Sequence, residues 1–112
     1  HMLTHWVRDR ARGARLPLEF AVKRLSADNA AALGLHDRGQ LAVGRRADIN
    51  VIDLERLGLE RPVMRYDLPA GGKRLVQGAT GYVATLVAGQ IVHAHGQATG
   101  ALPGRLIRGA QS

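Results

Sequence analysis

The 112-residue chain has no cysteine. That excludes a disulfide scaffold, a thiolate metal site and a cysteine nucleophile. It is compatible with a reducing, cytoplasmic setting, which is the compartment expected here. Aromatic side chains are scarce: Trp6, Phe20, Tyr66 and Tyr82 are the whole set. Aromatics contribute the largest burial per residue, so a chain built on Ala, Val and Leu is expected to be marginal without a partner surface. No apolar run approaches the length of a membrane-spanning helix, and no signal-peptide core opens the chain. Serine is limited to Ser26 and Ser112, which leaves no serine placed for activation by a neighbouring base. Gly72-Lys73 is followed by Arg74, and Asp67 stands where a phosphate-binding loop needs its first glycine, so that loop is excluded.

Positive charge is in excess. The net charge is +7 and the pI is near 11.3, which raises nucleic-acid binding as a possibility. Arg8, Arg10, Arg12 and Arg15 form one basic cluster, while the other basic residues are scattered between apolar runs. Aromatics that could stack on bases are nearly absent from these clusters, so a solvated face is favoured over a nucleic-acid surface.

The opening third reads as helix. His1-Met2 has the form of a cloning scar and is set aside from fold reasoning. Residues 4–12 have helix-forming composition, with Gly13 as the stop. Pro17 suits the first helical position and Glu19 the positive helix end. Leu18, Val22 and Leu25 then recur at helical spacing and define an apolar face. Ser26 is expected to cap a second short helix that Gly34 ends.

From Gly34 onward glycines recur between short apolar runs. Ala47–Asp53 alternates as a strand. Arg61–Tyr66 is a weaker one, confined by Pro62 to an edge or a strand start, and Lys73–Gln77 is another short candidate. Tyr82–Val87 and Ile91–His95 flank Ala88-Gly89-Gln90, a hairpin signal. The tail from Pro103 is expected to be irregular. The fold class is therefore α+β, helices first and then a β-rich part.

Few residues carry chemistry. His93 and His95, two apart on a predicted strand, would face the same way and could share a metal ion. A zinc centre also needs a third ligand, and nothing local supplies one from His36 or Asp53, so any site there is expected to be adventitious. Arg105 and Arg108 could clamp an anion, with solubilisation or tail docking the favoured reading. Asp48 and Asp53 flank a strand and suit turn hydrogen bonding and strand termination. No catalytic or cofactor-binding residue is assigned.

The stretch Leu16-Pro17-Leu18-Glu19-Phe20-Ala21-Val22-Lys23-Arg24-Leu25-Ser26-Ala27-Asp28-Asn29-Ala30-Ala31-Ala32-Leu33-Gly34-Leu35 resembles the closing helices of the amidohydrolases. The run His36-Asp37-Arg38-Gly39-Gln40-Leu41-Ala42-Val43-Gly44-Arg45-Arg46-Ala47-Asp48-Ile49-Asn50-Val51-Ile52-Asp53 is similar to that family's glycine-rich signature. Thr99-Gly100-Ala101-Leu102-Pro103-Gly104-Arg105-Leu106-Ile107-Arg108-Gly109 resembles the D-aminoacylase branch, the N-acyl-D-amino-acid deacylases. The resemblance implies a C-terminal fragment of a metal-dependent hydrolase of amide C–N bonds. Residues 3–35 would be the last helices of its barrel, and residues 36–112 its C-terminal share of a composite β-sandwich. Gly39 and Gly44 would frame a short Leu41–Val43 strand. Zinc or a similar divalent metal would sit on barrel ligands (an early His-x-His, a carboxylated lysine or acidic residue, two later histidines and an aspartate), none of which maps onto this chain. The fragment's own role would be structural. Its partners would be the missing N-terminal strands and barrel, and in isolation it is expected to form a homo-oligomer. The alternatives are a stand-alone β-rich binding module and a basic nucleic-acid-binding domain.

Overall fold

A computed structural model describes residues 1–111, and Ser112 lies outside the described residues. A wide, π-type helical segment spans Met2–Asp9. Two α-helices follow: α1 (Leu18–Leu25) and α2 (Ala27–Ala32). Eight strands succeed them: β1 (Ile49–Ile52), β2 (Gly58–Leu59), β3 (Val63–Leu68), β4 (Gly72–Val76), β5 (Ala79–Thr80), β6 (Tyr82–Val87), β7 (Gln90–Ala94) and β8 (Gln97–Ala98). The architecture is α+β. No helix among the described residues is long and apolar enough to cross a membrane.

The principal sheet has four antiparallel strands in the order β1-β6-β7-β8. The β6–β7 hairpin forms where the sequence places it. Its turn residues Ala88 and Gly89 both have positive φ, +50° and +79°, the pattern of a turn whose twist matches that of paired strands. β3 and β4 form a separate ribbon with Val63 opposite Val76, and β3 starts immediately after Pro62, as a residue without an N–H requires. β2 and β5 make a third, two-residue pairing.

Several local expectations are corrected. The first helix ends at Asp9, short of Gly13, because Arg10 is already extended. Pro17 occupies the position before α1 rather than its first turn. Ser26 stands at the N-cap position of α2, as expected, but makes no side-chain cap bond: its hydroxyl donates back to the Val22 carbonyl, 2.6 Å away. No strand forms over Leu41–Val43. Both side chains stand in solvent, and Arg45 N–H bonds Ala42 O in a turn. A strand needs a neighbour to take its backbone groups, and no neighbouring strand lies beside this one. The tail has no regular structure, but it docks by backbone: His36 N–H donates to Gln111 O and Gln111 N–H donates to Gly34 O, both at 2.8 Å.

Burial is sparse. The buried apolar residues are Ala21, Ala30 and Leu57, and no large side chain is fully enclosed among the described residues. The predicted apolar face of α1 exists but lies open, with Leu18, Val22 and Leu25 exposed by 40, 46 and 49 %. The accessible surface is 8653 Å², where a compact monomer of this mass presents about 6,000 Å². The radius of gyration is 16.4 Å, against about 13 Å for a compact domain of this length.

Among the described residues, Leu57 is the one buried residue of the β region. Gly81 has φ +85°, and a Cβ there would lie 2.6 Å from both the Leu57 Cα and its backbone nitrogen. By contrast Gly44, at φ +84°, has open space where a Cβ would go. Gly44→Ala is therefore expected to cost about 1 kcal/mol, for left-handed backbone alone. Gly81→Ala carries the backbone collision as well, and is expected to cost at least about 2 kcal/mol more. Thermal melts of the two variants beside the native chain check this. Equal melting points for the two variants would contradict it.

Candidate functional site

Asp48 and the side chains around it form the most connected polar cluster among the described residues. Asp48 stands just before β1. Its Oδ1 accepts the Ala88 backbone N–H at 2.8 Å, which pins the β6–β7 turn to the start of β1. The neighbouring backbone adds Gly89 N–H to Ala47 O at 2.9 Å. Arg46 Nε lies 3.0 Å from both Asp48 oxygens, and Arg38 Nη1 lies 3.0 Å from Oδ2. Arg38 also grips Asp37 with a two-pronged bond, 2.8 Å on each side, and Arg46 N–H closes the loop on Asp37 O at 2.7 Å. These side chains are between 15 and 28 % exposed, so solvent screens the pairs less than it would on an open surface.

The hydrogen bonds from Arg38 hold the Asp37 carboxyl below the usual carboxylate range, and Asp37 in turn raises the Arg38 guanidinium. Each carboxylate is occupied by donors, and each guanidinium is neutralised. The cluster holds the signature loop against the sheet and presents no free base or nucleophile.

The second strand-flanking carboxylate acts in the same way. Asp53 Oδ1 accepts the N–H groups of Glu55 and Arg56 at 3.1 and 3.2 Å, ending β1 in a capped turn. Turn bonding and strand termination are thus what Asp48 and Asp53 do.

The two histidines part company. His93 lies on β7 opposite Thr85. His95 lies past the end of β7, in the turn before β8, with φ +48°. The alternation that would aim both rings to one side requires a continuous strand, and here it is broken. His93 lines a small hollow with Tyr82, Ala84 and Thr85, while His95 borders a groove of about 620 Å³ with Asp53, Glu60 and Arg65. His36 lines a third concavity, against α2. No three His, Cys, Asp or Glu side chains come together as a metal-holding group among the described residues. The residues present therefore do not fit a catalytic metal centre.

Within the basic cluster Arg8 and Arg10 are half-buried, while Arg12 and Arg15 are exposed. Arg10 donates to Arg12 O and lies 4.6 Å over the Trp6 ring. Arg15 donates to Arg10 O at 3.1 Å. Arg8 reaches the turn after β1. Arg105 and Arg108 are exposed, and the tail docks through Gln111 instead. Sequence reasoning missed Arg8, Leu57 and Thr80. Arg8 and Thr80 act on backbone atoms more than twenty positions away, for which the chain carries no local signal.

A family model described as the amidohydrolase family matches residues 1–93. Comparison with curated proteins and with solved structures returned no match.

Asp48→Ala removes the acceptor for Ala88 N–H and both arginine contacts. It is expected to cost about 1–3 kcal/mol, and Asp48→Asn, which keeps an acceptor oxygen, less. Denaturant melts check the order of the two. Asp37 carries a pH dependence. Because its carboxyl titrates lower in the folded chain than in the unfolded one, the stability it contributes is complete above the unfolded value, about 3.9. That contribution is lost as pH falls through the lower, folded value. Carboxyl NMR titration is expected to show Asp37 moving up toward the ordinary range in Arg38→Ala. No movement would remove Arg38 as the cause.

Proposed function

The chain belongs to the amidohydrolase family, and on that premise we propose that it is the C-terminal, structural part of a larger enzyme that hydrolyses amide C–N bonds. In this reading α1 and α2 are the last helices of a β/α barrel, and residues 36–112 are one share of a β-sandwich completed by strands from earlier in the protein. The divalent metal expected for such an enzyme, zinc or similar, belongs on barrel residues, since the side chains here do not fit it. The finer assignment, an N-acyl-D-amino-acid deacylase, rests on the resemblance of Thr99–Gly109, which follows the matched residues. The reaction would add water across the amide and release a carboxylate and a free D-amino acid. A cytoplasmic location belongs to the same reading.

The observation that carries the proposal is the uncovered surface. The accessible area exceeds that of a compact monomer by about 2,700 Å². An ordinary protein–protein contact covers only about 800 Å² per partner. An excess of this size fits a domain core that has been divided, and in this reading the open Leu18, Val22 and Leu25 face would pack on the barrel.

Expressed as the whole gene product, the enzyme is expected to hydrolyse N-acetyl-D-amino acids in preference to their L counterparts. It is expected to lose activity on dialysis against a chelator and to regain it with zinc. The 112-residue chain assayed alone is expected to be inactive. Turnover by the short chain itself, or a full-length product inert toward amides, would reject the proposal. Preference for another amide class would reject only the deacylase assignment. A second expectation concerns the isolated chain, whose open apolar faces and strand edges favour self-association. Light scattering across a concentration series is expected to show a dimer or larger species, and a monomer throughout would count against it.

A further inference from the structure

Four carbonyl oxygens of the turn after β1 find partners in an unusual way. Arg56 O accepts the Thr80 hydroxyl at 2.9 Å. The other three converge on one nitrogen: Arg8 Nη1 lies 2.6 Å from Leu54 O, 2.9 Å from Glu55 O and 2.8 Å from Leu57 O. Carbonyl dipoles aimed at one point make a cup for a cation, and buried or partly buried carbonyls need such a partner. The remaining edge of the same guanidinium is held by Asp9, with Nε to Oδ1 at 2.6 Å and Nη2 to Oδ2 at 2.9 Å. A planar fork with five N–H groups serves both partners at once, whereas a lysine ammonium has no two-pronged bond to offer Asp9.

The rest of the contact between this segment and the sheet is thin. Met2–Asp9 buries no residue. A gap of about 190 Å³ separates its first turn from Leu25, Leu57, Leu59 and Tyr82. Its other ties run to the linker that follows it, through Leu16 N–H to Trp6 O and Arg10 over the Trp6 ring, and to α1, against which it packs; none of these reaches the sheet.

We infer that Arg8 is a latch: its guanidinium, seated in the carbonyl cup of Leu54, Glu55 and Leu57, locks the N-terminal helical segment onto the β region. Without it the segment comes away from the β region, keeping only its contacts with α1 and the linker, while the β1-β6-β7-β8 sheet stays folded. The apolar packing is too incomplete to hold the segment, and the linker from Arg10 to Pro17 has no regular structure to resist its movement. The inference concerns this chain alone and is independent of which amide the larger enzyme hydrolyses.

Amide hydrogen exchange on the 112-residue chain tests it. In Arg8→Ala, amides of residues 3–9 are expected to exchange at least about tenfold faster, the scale of losing a charge-assisted hydrogen bond. Amides of β6 and β7 are expected to stay unchanged. Arg8→Lys, which keeps a charge for the cup but loses the two-pronged bond to Asp9, is expected to fall between. Thr80→Val removes the neighbouring carbonyl's partner and is expected to leave residues 3–9 protected. Native-like exchange of residues 3–9 in Arg8→Ala would overturn the latch. So would an equal rise across β6 and β7, or opening of the segment in Thr80→Val.

Discussion

With Ala21, Ala30 and Leu57 as its buried apolar residues, this chain has little core to fix its elements in place, and the arrangement depends on side chains that close turns. Asp48 joins the start of β1 to the β6–β7 turn through Ala88 N–H. Asp53 caps the turn at the other end of the same strand. β1 is thus tied at both ends by carboxylates, and the signature loop is drawn in by Arg38 and Arg46 gripping Asp48. Each contact is worth only about 1–3 kcal/mol. Hydrophobic burial normally supplies most of the driving force for folding, and the surface able to supply it is here facing water.

The parts of the fold legible in the sequence are those whose cause is local. The β6–β7 hairpin follows from Ala88-Gly89 set between apolar runs, and Pro62 marks where β3 begins. The α1 helix follows from the spacing of Leu18, Val22 and Leu25. Failures occur where the deciding partner is elsewhere. Leu41–Val43 has strand composition but no neighbouring strand to pair with. Ser26 has a cap residue's identity, yet its hydroxyl finds Val22 O first. His93 and His95 are expected from the sequence to form an adventitious site at most, and the strand geometry behind that expectation is interrupted by the turn at His95. Arg8 sits within an ordinary basic run, and nothing local announces that it serves carbonyls 46 to 49 positions away.

The signature shared with the amidohydrolases acquires a physical meaning from this arrangement. Its Asp37, Arg38, Arg46 and Asp48 are mutually saturated and placed to hold a loop, a strand and a hairpin together. No reacting group is left free among them. A chain whose polar residues are spent on scaffolding, and whose apolar residues await a cover, is consistent with a supporting role in a larger catalyst.

In the function proposed above, the open apolar surface belongs against the remainder of a larger amidohydrolase. A structure of the whole gene product tests this. Leu18, Val22 and Leu25 are expected to be enclosed by barrel helices, and the free edge of β1 to pair with a strand from earlier in the protein. The same three side chains standing in water in the complete protein, with β1 still an edge, would contradict it.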